Sequence, residues 1–338
     1  MGKYDRYICT RLHKRENLPG PTPAQREILA AEGLRISMEH VLWIDSDVIP
    51  GAYYGENTWI WPSSYPDQID PDVLARRFPN ARPLFPHSHD FPELLSWWGA
   101  DPDHPEDTTP KTMIMDDEEI LLETSWVCYA PAGMKHMPAT PPGARKTNKP
   151  ICHWTSGPGV YVREAGEADK RDKPQDSAAP KPEVIRRTGH LENKKYFVFG
   201  YDPKVKRPDY MCPLDPSFSR PIAYLDETVV PGAEFGCDSF WLLPGARARS
   251  GQMVMDRHTL PYGTSITLNA LNYADITDLC ADAELWIGGE KHHINKSFGA
   301  YLPPNVEAGP LIVRNITREI FVLKTGPVGE GIKKYPGG

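Results

Sequence analysis

No run of apolar residues in this chain approaches the ~20 that a membrane-crossing helix needs. The opening MGKYDRYICTRLHKREN is polar and lacks the apolar core of a signal peptide. It has Arg6 where a myristoylation signal wants Ser or Thr. These absences predict a cytoplasmic location with no membrane partner. Basic residues are outnumbered, 38 Lys and Arg against 45 Asp and Glu, and no basic run is interleaved with aromatics. The pairs Lys194–Lys195 and Lys333–Lys334 are too short to bind a polyanion, so nucleic acid is not an expected partner. No serine nucleophile elbow, phosphate-cradling glycine loop or dinucleotide fingerprint appears, which argues against nucleotide-driven chemistry. The six cysteines, at 9, 128, 152, 212, 237 and 280, form no C-x-x-C pair. Their wide spacing reads as buried free thiols rather than a disulfide framework.

Proline and glycine are abundant instead, 36 and 27, and they interrupt the chain every few residues. Such punctuation favours short strands over long helices. Two segments read as helices. Pro23 to Glu32 opens on proline and is followed by Gly33, and Asp70 to Phe78 opens on a capping Asp and ends in arginines. Runs rich in Val, Ile, Tyr, Trp and Thr read as strands, among them Thr58–Trp61, Ser125–Tyr129, Tyr196–Phe199, Ser239–Leu243, Leu285–Ile287 and Glu319–Leu323. Residues 164–183, EAGEADKRDKPQDSAAPKPE, are charged and nearly free of large apolar side chains, the texture of a linker.

The halves on either side are related. VIPGAYYGENTWIWP (48–62) matches VVPGAEFGCDSFWLLP (229–244) with one insertion, GAD (99–101) matches YAD (273–275), and Tyr129-Ala130-Pro131 matches Tyr301-Leu302-Pro303 in the same order. Duplication of a strand-rich unit is the simple explanation. The expected architecture is all-β: two small barrels or sandwiches packed together. The expected boundaries are 1–165, a linker over 166–190, and 191–338.

In FPHSHDFPE (85–93), an extended strand would put His87, His89 and Glu93 on one face. PAGMKHMP (131–138) returns across the barrel after a Pro-x-Gly turn and supplies His136. Three imidazoles and one carboxylate suit Mn, Fe, Co, Ni or Zn. The expected cofactor is one divalent transition metal, Mn, Zn or Fe.

These two runs resemble the paired motifs of the cupin superfamily. The first motif, G-x5-H-x-H-x3,4-E-x6-G, falls on Ala81, His87, His89, Glu93 and Gly99. The second, G-x5-P-x-G-x2-H-x3-N, falls on Ser125, Pro131, Gly133, His136 and Thr140. The ligand spacing fits; the flanking Gly and Asn positions depart. The resemblance spans roughly Val48–Val162 and Val229–Pro327 and is to bicupins. It implies two tandem cupin-type β-barrels (double-stranded β-helix or jelly roll) with a few short helices, and a homo-oligomer of dimer size or larger. Aligning GAD with YAD places Pro261, Gly263 and Thr267 opposite His87, His89 and Glu93, and the Tyr-x-Pro runs place Ala308 opposite His136. The second barrel is therefore expected to be metal-free, although His258, His292 and His293 remain in it.

Four residues are candidates for acid–base work. His104 and Glu106 lie in the acidic loop after the first motif, Tyr129 precedes the Pro-Gly turn, and His153 sits on the strand that follows. Trp97 and Trp98 should face opposite ways, and Lys135 should point outward. A metal with open positions polarises a carbonyl or activates water, so the expected partner is a small molecule with two adjacent oxygens: a β-dicarbonyl, an enolised ring ketone or a polyhydroxylated ring. Cupins with this ligand set serve several reactions. HDFPELLSWWGADPDHP also looks like a group of cupin proteins associated with anaerobic bacteria, which points to hydrolytic C–C cleavage by a Lewis acid. An Fe- or Mn-dependent dioxygenase and a non-catalytic small-molecule-binding cupin stay open as alternatives.

Overall fold

The computed structural model describes residues 2–79, 86–141, 144, 147–161, 191–245 and 251–337. The expected linker and Ala81 lie outside the described residues. In chain order the first nine strands are β1 (Ile8–Cys9), β2 (Met38–Ile44), β3 (Tyr54–Ile60), β4 (Glu93–Gly99), β5 (Lys111–Met115), β6 (Glu118–Leu122), β7 (Trp126–Ala130), β8 (His136–Ala139) and β9 (Ile151–Gly157). The next ten are β10 (Phe197–Val198), β11 (Ser219–Leu225), β12 (Phe235–Leu242), β13 (Gln252–Met255), β14 (Thr264–Ala270), β15 (Asp278–Ile287), β16 (Glu290–Lys296), β17 (Phe298–Leu302), β18 (Ala308–Arg314) and β19 (Ile320–Pro327). Helices are short. α1 (Pro23–Ala31) starts in a capping box between Thr22 and Gln25, and α2 (Pro71–Arg77) is capped by Asp70. Among the described residues no helix is long and apolar enough to cross a membrane. All six cysteines are free thiols.

The strands build four antiparallel sheets in two pairs. A six-stranded sheet, β10-β7-β4-β9-β3-β2, faces a three-stranded one, β6-β5-β8. Between them lies a core that includes Leu95, Trp97, Met113, Ile120, Trp126 and Cys128. The second pair, β1-β17-β14-β19-β12-β11 against β13-β18-β15-β16, encloses a core with Phe240, Leu268, Leu285, Phe298 and Val322. This is the mostly-β, two-unit architecture expected. Strands of opposite halves are exchanged at the edges. β1 pairs with β17, and β10 pairs with β7.

A third core joins the two large sheets. Trp59 and Trp241 stack with centroids 6.1 Å apart, and Tyr53 meets Phe235 and Tyr301 edge to face. Strand β4 is therefore buried at every position. Trp97 fills its own barrel, while Trp98 belongs to the shared core, as their alternation requires.

The ladders also align the halves. Tyr129 stands opposite Leu94, and Tyr301 stands opposite Ser265. His87 bridges His136, and His258 bridges Ala308. The positions matching His87, His89, Glu93 and His136 are thus His258, Leu260, Thr264 and Ala308. The expected correspondence with Pro261, Gly263 and Thr267 is corrected by three residues, and one imidazole position survives. Gly99 ends β4, whereas Tyr273 lies beyond the end of β14, so the short GAD–YAD identity set a false register.

Candidate metal centre

His87 and His89 do not sit on a continuous strand with Glu93. They lie in a connecting segment that bends at Asp90–Phe91, and Glu93 is the first residue of β4. Backbone contacts hold the segment in place. His87 N–H donates to His136 O at 3.2 Å, and His136 N–H donates to His87 O at 2.8 Å. Gly133, at φ +79°, donates its N–H to His89 O at 2.7 Å. A side chain would strain that turn, so the Pro-x-Gly step fixes His89 as well as His136.

The four side chains converge. Their ligand atoms lie within 4.8 Å of one another. His136 Nε2 is 2.6 Å from Glu93 Oε2, and His89 Nε2 is 3.4 Å from the same oxygen. Two atoms bound at ~2.1 Å to one ion at right angles stand about 3 Å apart, so this spacing suits a common ion. His136 Nδ1 donates to Met134 O at 2.9 Å, which turns Nε2 toward Glu93 in the way outer partners orient metal-bound imidazoles. His89 Nε2 is buried and makes no hydrogen bond. Burial alone would raise the Glu93 carboxyl; the His136 hydrogen bond and the nearby His136 and His89 rings overcome it and hold the group well below the usual carboxylate range. Burial would lower His136, yet Glu93 leaves it raised. The residues present fit a divalent transition ion, which would take the place of the proton shared along this contact.

His87 and Glu93 border a cavity of about 70 Å³. Its other polar walls are His40, Glu56, Tyr54, Thr155, His153 and Tyr161. His40 Nε2 lies 2.6 Å from Glu56 Oε1, and Tyr54 Oη donates to Glu56 Oε2 at 3.0 Å. Burial pushes Glu56 up; the His40 charge and hydrogen bond, with the nearby His153, bring it below its ordinary value. His153 Nδ1 donates to Ser96 O at 2.5 Å, leaving Nε2 as the acceptor nitrogen. Burial lowers its basicity, so the ring is neutral near pH 7.

The structure sorts the four acid–base candidates. His153 lines the cavity. Tyr129 accepts Glu234 N–H at 3.1 Å in the shared core, and burial pushes its phenol up to about 12. His104 and Glu106 are exposed and 3.3 Å from each other. Their loop closes over Gly99, where a Cβ would stand 2.6 Å from Pro105 O. That is the far end of β4 from Glu93, roughly 20 Å along a strand of this length. Neither residue borders the cavity, because β4 runs through the barrel and its two ends open on opposite mouths. Lys135 is exposed, as expected. Sequence reasoning missed His40, Glu56 and Tyr54. The signal was a histidine and a carboxylate inside strand-like runs, MEHVLWI and YGENTWI.

No protein-family model and no curated protein sequence matches this chain. Among solved structures it is similar to AerE from Microcystis aeruginosa, with 10% identity over 83% of this chain and 90% of that one and a TM-score of 0.41. It is also similar to a variant of oxalate decarboxylase from Bacillus subtilis, with 10% identity, 87% and 74% coverage and a TM-score of 0.46. Another structure of that enzyme, described for its Mn(II) centres, gives 11% identity over the same shares and a TM-score of 0.44. The His-His-Glu-His group lies where the two sequence motifs place it.

Proposed function

We propose that this chain is an enzyme holding one divalent transition metal on His87, His89, Glu93 and His136. Its substrate is a small molecule that presents two adjacent oxygens. The observation that carries this reading is the convergence of three imidazoles and an ionised, buried carboxylate, with His87 and Glu93 opening on a small cavity. A metal bound there would supply Lewis acidity toward a carbonyl and lower the pKa of water.

The chain's own groups supply the rest. Neutral His153 Nε2 faces the cavity as a proton acceptor, and the Ser96 carbonyl fixes its tautomer. The His40–Glu56 pair, backed by the Tyr54 hydroxyl, can hold or return a proton on the same side. Trp43, Leu95 and Tyr161 shield the space from bulk water, which strengthens each polar contact inside it. A base poised opposite a polarised carbonyl suits hydrolytic C–C cleavage of a β-dicarbonyl, and we take that as the reaction. One test is elemental analysis of protein purified without added metal or chelating tags, followed by assay on cyclic and linear 1,3-diketones. About one Mn, Fe, Co, Ni or Zn per chain, with hydrolysis under anaerobic conditions, is the expected result. Turnover that requires O2 would replace hydrolysis by dioxygenation. A metal-free protein after reconstitution would remove the enzyme reading altogether.

A further inference from the structure

The second barrel has its own cavity, of about 60 Å³, in the matching place. Register makes the match. In the first barrel Glu56 pairs with Trp43 and with Thr155. In the second, Asp238 pairs with Tyr224 and with Lys324. Asp238 thus stands where Glu56 stands, and Lys324 stands where Thr155 stands. Both line the cavity.

Three charged side chains are buried here. Arg207 and Asp238 form an ion pair, with Nη2 2.7 Å and Nε 2.9 Å from Asp238 Oδ2. Arg207 also donates Nη1–H to Cys212 O at 2.7 Å, so its role is to hold Asp238. Asp238 Oδ1 is left without a hydrogen bond. Lys324 is 7% exposed, and among the described residues its Nζ makes no hydrogen bond or ion pair. Its one close partner is the Tyr210 ring, 5.0 Å below it, which in turn stacks on His258. Burial pushes the ammonium down to about 8 and raises the Asp238 carboxyl. Two cations and one anion leave one positive charge uncompensated among largely buried side chains, a costly arrangement unless a further anion completes it.

We propose that this cavity binds a small hydroxycarboxylate, its carboxylate on Lys324 Nζ and its hydroxyl donating to Asp238 Oδ1. The two unused polar atoms are of opposite kinds, one a cationic donor and the other an anionic acceptor. A simple anion satisfies only the first, and a neutral alcohol only the second. A molecule carrying both groups on neighbouring carbons satisfies the pair, and the volume, about two waters' share of liquid, admits a ligand of glycolate size. The site needs no metal and is separate from the His87 centre.

The test uses the full-length protein labelled with 13C-lysine. The Lys324 resonance is identified by its loss in Lys324→Met. Lys111→Met identifies the other buried lysine, so the assignment survives if Lys324→Met does not fold. Glycolate should move the Lys324 resonance with half-saturation at about 1 mM or below. Acetate, which leaves Asp238 Oδ1 unsatisfied, should need about tenfold more. No movement at a hundredfold higher glycolate would overturn the site. Chloride or acetate acting at the same concentration as glycolate would overturn the hydroxycarboxylate assignment. Calorimetry separates this site from the metal centre: Lys324→Met should lose the glycolate heat while keeping its full metal content.

Discussion

Replacing His136 with alanine tests the metal centre twice, once without metal and once with it. Without metal, the change strips Glu93 of its 2.6 Å partner while the carboxylate stays 2% exposed. Removing one partner of a buried pair costs about 3–5 kcal/mol. Here the lower end applies, because His89 Nε2 remains 3.4 Å away and can close on the orphaned oxygen. With metal, wild-type protein gains a further stabilisation set by the ratio of free ion to dissociation constant, about 2.7 kcal/mol at a hundredfold excess. The variant, short of one of four ligands and of the imidazole that Met134 O orients, should gain close to nothing. Urea unfolding with and without metal measures both quantities. A comparator strengthens the reading: His258→Ala alters the equivalent position of the second barrel, where Leu260, Thr264 and Ala308 offer no other strong ligand. It should lose its stacking on Tyr210 and the Nδ1 hydrogen bond to Asp256 O, together about 1–3 kcal/mol, and keep the whole metal-induced gain. If His136→Ala keeps that gain, or His258→Ala loses it, the four-residue centre is wrong.

Other expectations are simpler to state. His153→Gln should lower kcat by about 100-fold or more at unchanged metal content if its Nε2 moves the proton, and a smaller loss in steady-state assays would remove it from that role. Glu56→Gln should flatten the acid side of the stability curve: a carboxyl held below its ordinary 4.5 stabilises the fold above that pH and loses the contribution as pH falls further, which unfolding between pH 6 and 3 would read. Glu106→Gln and His104→Ala should leave turnover and metal content unchanged, since both side chains lie in solvent at the other mouth. Trp59→Ala should cost about 3–5 kcal/mol and be felt by both barrels in one urea transition; two separated transitions in the wild-type protein would mean that the shared core does not couple them.

Much of this molecule was legible because its signals are local. The helix cap at Asp70, turn residues, and alternation in the strands need only near neighbours. The grouping of His87, His89, Glu93 and His136 was legible for a related reason: two short motifs carry them, and the backbone bridge between His87 and His136 joins those motifs directly. His40 and Glu56 were not, because each sits among other polar residues of its strand with no motif to mark it, and only pairing across β2 and β3 reveals that they meet. The misplaced loop candidates show the converse limit. Asp101 to Asp107 follow the ligand motif closely in sequence, but a strand of 7 residues carries the chain to the opposite mouth before the loop begins.

The duplicated architecture explains why two different chemistries can occupy one fold. In both halves the strand next to the edge of the large sheet, β3 or β12, carries a carboxylate, Glu56 or Asp238, against a small cavity of similar size. What differs is the positive partner. In the first barrel the charge facing that space comes from titratable imidazoles and from whatever ion the four ligands hold, so it can be exchanged. In the second it is built into the chain as Lys324 and Arg207. A fixed cation beside the carboxylate needs no metal to supply the positive charge. Three of the four ligand positions could then drift to Leu260, Thr264 and Ala308, side chains that fill space. His258 persists for a different reason, as a ring stacked on Tyr210 beneath the lysine.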